Sequence, residues 1–106
     1  MPASPMERIS TYIAGAASQP LPPAVHTKTK WHVLDTLAAI VSGSRLKPGE
    51  LAIQFARAQG GTPEATVIGS DVRTTAINAA MCNGFSAHAD ETDDSHAPSL
   101  SHPGCA

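Results

Sequence analysis

Proline and glycine cut this 106-residue chain into four stretches whose apolar residues recur every three or four positions. That is the period of a helix face, and it constrains the fold more than any other feature of the sequence. The first stretch runs from about Ser4 to Ala17, with Met6, Ile9, Tyr12 and Ile13 in step. Ser4-Pro5 reads as an N-cap followed by proline at the first helical position. Gly15 weakens the end of this helix, and Gln19-Pro-Leu-Pro-Pro23 breaks it. A second helix starts near Pro23 and runs to Ser42, with Val33, Leu34, Leu37, Ile40 and Val41 as a broad apolar stripe and Gly43 as the closing C′ glycine. Lys47-Pro-Gly-Glu50 restarts the chain, and Leu51, Ile53, Phe55 and Ala56 carry a third helix to Gln59, ended by Gly60-Gly61.

From Thr62 to Arg73 the helical rhythm stops. Ala65-Thr-Val-Ile-Gly69 is β-branched and bounded by Pro63 and Gly69, which predicts a short extended piece or small hairpin. Helix four follows from Thr74, with Thr74 or Thr75 as N-cap and small residues (Ala76, Ala79, Ala80, Gly84, Ala87) that suit tight burial. Asn83-Gly84 inside it reads as a packing accommodation. The expected fold is all-α, a mostly helical bundle with one short extended or hairpin segment near residues 62–73.

Such a bundle would have an aliphatic core, because Tyr12, Trp31, Phe55 and Phe85 are its only aromatics while alanine occurs eighteen times. Alanine buries little area and allows close helix approach, so faces of this kind call for a large partner surface. A net charge of −2 with scattered basic residues leaves no electrostatic footprint for nucleic acid. No apolar run approaches the roughly 20 residues of a membrane span. The N-terminus MPASPMERIS lacks the basic and apolar regions of a secretory signal. Cys82 and Cys105 fit no disulfide framework or CxxC site and read as buried free thiols of a cytoplasmic protein.

The chemistry lies in the loop leaving helix four. His88 to Ala106, HADETDDSHAPSLSHPGCA, holds four carboxylates (Asp90, Glu91, Asp93, Asp94) and three histidines (His88, His96, His102), with no Lys or Arg. Like charges packed so densely raise each other's pKa, which is costly without a use. Three readings fit. In the first, the loop does acid–base work: taking a proton from carbon beside a carboxylate needs a base poised near neutral pH, and imidazole suits. Ser101-His102-Pro103 resembles a helix start, where the dipole favours a neutral, proton-accepting His102. Asp93 or Asp94 would then orient a ring nitrogen or cap a turn, and Ser95 would bond a substrate oxygen. In the second, His88, Asp90, Asp93, Asp94, His96 and His102 supply ligands to a divalent ion, although no HExxH or EF-hand spacing is present. In the third, the loop is simply solvated, since Asp and Ser bond their own backbone. His26 and His32 read as surface or helix-packing residues, and His88 as a partner for the C-terminal helix dipole.

Five ordered segments resemble the MmgE/PrpD family, which includes 2-methylcitrate dehydratase, cis-aconitate decarboxylase and iminodisuccinate epimerase. They are Leu34-Asp-Thr-Leu37 with Val41-Ser-Gly-Ser44; Gly60-Gly-Thr-Pro-Glu-Ala-Thr-Val-Ile-Gly69; Ala79-Ala80 with Asn83-Gly84; Ala87-His88-Ala89; and Asp93-Asp94-Ser95-His96 followed by His102-Pro103. The resemblance implies that residues 1–106 are the incomplete N-terminal part of a larger helical domain, in a two-domain homodimer with its active site between domains. It implies a small polycarboxylate substrate, no metal or organic cofactor, and proton transfer α to a carboxylate. The family's catalytic histidine falls on His102, its loop acid on Glu91 and its hydroxyl on Ser95, with Asp93 orienting the loop. Glu91 stands where Asp is usual, Ser95 where Thr is usual, and Thr92 where an aromatic is common. These departures bear on the substrate more than on the reaction type. Cations to hold a polycarboxylate must come from outside this stretch, so residues 1–106 alone are expected to be inactive.

Overall fold

The computed structural model describes residues 2–105, Cys105 by its backbone alone. Four α-helices and one small hairpin make the fold, which is all-α as the periodicity predicts. Helix α1 (Pro5–Ala16) begins with a capping box: the Ser4 hydroxyl accepts from the Glu7 N–H at 3.2 Å, and the Glu7 carboxylate accepts from the Ser4 N–H at 2.7 Å. That pairing holds the Glu7 carboxyl below its usual pKa, the Ser4 backbone bond being the larger cause. None of α1's residues is buried, so its stripe of Met6, Ile9, Tyr12 and Ile13 faces solvent.

Helix α2 (Pro23–Gly43) buries only Ala39, Ile40 and Gly43, all at its C-terminal end, where it crosses α4. Gly43 is not the left-handed C′ residue that its place after the stripe suggests. It lies in the last helical turn, and Ser44 caps the helix in a right-handed conformation. Its lack of a side chain serves close approach instead: a Cβ there would collide with the Ser86 carbonyl of α4. Gly49 plays the matching part on α3 (Lys47–Gln59), where a Cβ would strike the Gly43 carbonyl and Ser44 Cα. Small residues thus let helices α2, α3 and α4 meet almost backbone to backbone. Gly60 ends α3 at φ 60°, the left-handed region that glycine enters without strain.

Strands β1 (Ala65–Thr66) and β2 (Arg73–Thr74) pair antiparallel, Ala65 with Thr74 and Thr66 with Arg73. Asn83 of α4 docks this hairpin. Its side-chain oxygen accepts from the Ile68 N–H at 2.9 Å, and its amide donates to the Thr66 carbonyl at 3.1 Å. Among the described residues nothing lies within 4 Å of where a Cβ on the neighbouring Gly84 would sit. Helix α4 (Ala76–Ala89) is capped by Thr75, whose hydroxyl accepts from the Asn78 N–H.

The core lies between α3, the hairpin and α4, and consists of Ala52, Ala56, Val67, Val72, Ala79 and Cys82. Burial pushes the Cys82 thiol above its usual pKa, and the thiol donates to the Ala52 carbonyl at 3.2 Å. It is a structural group, not a nucleophile. The side chain of Cys105 lies outside the described residues. No helix among them is long and apolar enough to cross a membrane.

Candidate active site at the end of helix α4

Helix α4 delivers His88 in its last turn, and the chain reverses immediately afterwards. The His88 carbonyl accepts from the Asp90 and Glu91 N–H groups, the latter at 3.1 Å, and Glu91 turns through the left-handed region at φ 51°. The Ser42 hydroxyl of α2 donates to the Asp90 carboxylate, which ties the start of the loop to the bundle. Beyond it the loop folds on itself. His96 and Ser101 form an isolated antiparallel bridge, with the His96 N–H donating to the Ser101 carbonyl at 2.9 Å. That narrow turn brings His102 back beside Asp93.

The result is a carboxylate between two imidazoles. Asp93 Oδ2 lies 3.2 Å from His88 Nδ1 and 3.1 Å from His102 Nδ1, and the two rings meet edge to face with centroids 5.0 Å apart. Only 1% of the Asp93 side chain is exposed, against 56% for His88 and 45% for His102. His102 Nδ1 also lies 2.8 Å from the Asp94 carbonyl. A carbonyl and a carboxylate can only accept, so this nitrogen carries the proton and the neutral ring keeps its lone pair on Nε2. The same argument puts the His88 proton on Nδ1, opposite the Asp93 carboxylate. Chemically, this is a base whose tautomer is fixed by an acid that would stabilise the imidazolium formed on proton uptake.

A 3-10 turn, Pro103–Cys105, begins directly after His102, with Pro103 first as the sequence predicts. The acceptors at Nδ1, Asp93 and the Asp94 carbonyl, fix the tautomer of His102. Asp94 supplies the cap: its Oδ1 accepts from the Gly104 N–H at 2.8 Å.

Of the four residues singled out in the sequence, His102 and Asp93 are in contact. Glu91 is exposed in a cleft of about 450 Å³ shared with Pro48, Phe85 and His88. Ser95 lines a different cleft, of about 340 Å³, with His32, Asp94, His96, Pro103 and Gly104. Among the described residues, no lysine or arginine lines either one. His96 turns into its own loop, its Nδ1 2.7 Å from the Ser99 hydroxyl. Sequence reasoning placed His88 at a helix end but missed its contact with Asp93. The five-residue separation across a helix terminus was the available signal.

These elements meet where the ordered motifs of the sequence sit, and the family model of the MmgE/PrpD N-terminal domain matches residues 7–106. The chain belongs to the MmgE/PrpD family. No curated protein and no solved structure matches it. Within this MmgE/PrpD domain, the segment Gly60–Gly69 forms the turn and first strand of the hairpin, and Asn83 fastens the hairpin to α4. Ala87-His88-Ala89 ends α4, and Asp93-Asp94 supplies both the carboxylate between the histidines and the cap of the final turn.

Proposed function

We propose that this chain is the N-terminal portion of a cofactor-independent lyase or isomerase of the 2-methylcitrate dehydratase kind, acting on small polycarboxylates. The observation that carries this reading is the hydrogen bonding of His102, with Nδ1 held by Asp93 and the Asp94 carbonyl and Nε2 left to accept a proton. His102 removes or returns the proton on the carbon next to a substrate carboxylate. Glu91 and Ser95 contact the substrate or its water. Because they lie in separate clefts without cations, the remainder of the helical domain and a second domain complete the site in a cytoplasmic homodimer. Cationic groups from those parts hold the substrate and stabilise the aci-carboxylate formed on deprotonation.

The test uses the natural protein isolated at its full length, incubated with 2-methylcitrate, cis-aconitate or iminodisuccinate in D₂O. Product formation or deuterium entry at the α-carbon, followed by NMR, is the expected result. Absence of both with every substrate rejects the reading.

A second reading has one observation in its favour: ligand atoms of His88, Asp93 and His102 all lie within 4.8 Å of one another, a two-histidine, one-carboxylate set that suits a divalent ion. The chain would then be a non-catalytic helical binding or assembly module. It predicts a melting temperature raised by Zn²⁺ or Mn²⁺ and restored by a chelator, with about 2.7 kcal/mol of stabilisation at a hundredfold excess over Kd. An unchanged melt at saturating ion removes it.

A further inference from the structure

We propose that His88 is a positioning residue for the active site, acting on His102 through Asp93; the inference rests on the role of His102 as the proton-transfer group. His88 and Asp93 differ in what holds them. His88 belongs to the last turn of a 14-residue helix that packs on both α2 and α3. Asp93 belongs to a loop that leaves that helix through a left-handed residue, Glu91. The Nδ1–H of His88 lies 3.2 and 3.3 Å from the two Asp93 oxygens, so it meets the whole carboxylate and not one edge. Through that contact the rigidity of α4 reaches a group whose backbone lies in the loop. Asp93 in turn shares with the Asp94 carbonyl the hold on the ring of His102, which is almost half exposed. The edge-to-face contact between the two imidazoles restricts the ring further.

A positioning role makes a specific demand on the chemistry at residue 88. The site needs an N–H donor where Nδ1 lies, and it needs neither the second ring nitrogen nor a charge. Asparagine meets that demand, since its side-chain amide nitrogen is the same number of bonds from the backbone as Nδ1. Alanine does not.

The test compares His88→Asn, His88→Ala and His102→Asn in the full-length natural protein, on whichever polycarboxylate it turns over. The expected result is a kcat lower by about 10–100-fold in His88→Ala, the loss that follows removal of the partner that orients a metal-bound histidine. KM should stay the same, and most of the kcat should return in His88→Asn. Equal losses in the Asn and Ala variants would make His88 a reacting group and overturn the proposal, as would an unchanged kcat in His88→Ala. His102→Asn separates the two ideas: if it abolishes turnover while His88→Ala leaves kcat unchanged, the role of His88 alone falls. If His102→Asn retains full kcat, the base assignment falls first.

Discussion

Replacing His102 by alanine in the full-length protein lowers kcat by about 10²–10⁴-fold, the range by which a positioned general base accelerates proton transfer. On the proposed role of His102 the effect should fall on kcat, because a general base acts on a proton that begins to move only in the transition state. The ring is nearly half exposed and fills no cavity in the core, so its removal should leave the fold and the melting temperature close to those of the parent. Asp93 bears the structural consequence: its carboxylate loses one of its two imidazole partners but keeps His88. Single-turnover measurements of α-deuterium exchange isolate the chemical step. A kcat within threefold of wild type, with exchange intact, would remove His102 from the reaction and leave Asp93 as the orienting group of something else.

Much of this architecture is legible in the sequence because it is local. The Ser4 capping box, the Gly60 terminus and the hairpin centred on Ala65–Gly69 each depend on residues a few positions apart. Gly43 is misread for the opposite reason. A glycine after an apolar stripe serves equally as a left-handed cap or as a point of helix contact, and only the position of α4 decides between them. The site divides in the same way. Asp93 and His102 are legible as residue types with a purpose, since an acid that orients an imidazole is a recurring arrangement. His88 is legible only as a helix terminus, because its contact with Asp93 requires the loop to fold back across the end of α4. The helical turn that starts at Pro103 is legible from Ser101-His102-Pro103, but the acceptors beside His102 Nδ1 are not. Hydrogen-bond acceptors at Nδ1 settle the tautomer whatever helix follows.

Produced by itself, the 106-residue chain should melt without a sharp cooperative transition and should bind a hydrophobic dye such as ANS. The reason is a mismatch between what the helices cover and what they present. Among the described residues the buried apolar set contains only Ile40, Val67 and Val72 beyond alanine and cysteine. Burying a side chain of that size contributes about 1.5–3 kcal/mol, and ordering each residue of backbone costs about 1–2 kcal/mol. Outside the core, Tyr12, Trp31, Leu34 and Ile13 are all more than 60% exposed, at 74%, 67%, 61% and 65%. On α3 and α4, Leu51, Phe55, Met81 and Phe85 line one almost wholly apolar cleft. An apolar cleft of this kind marks a surface that another part of the protein covers. In the full-length protein the same faces should be protected, so hydrogen exchange along α2 and α4 should slow by orders of magnitude relative to the chain alone. A sharp two-state melt of the 106 residues, without dye binding, would show that these faces need no cover. The domain would then stand as an independent folding unit, with the cations its substrate requires still to come from outside these residues.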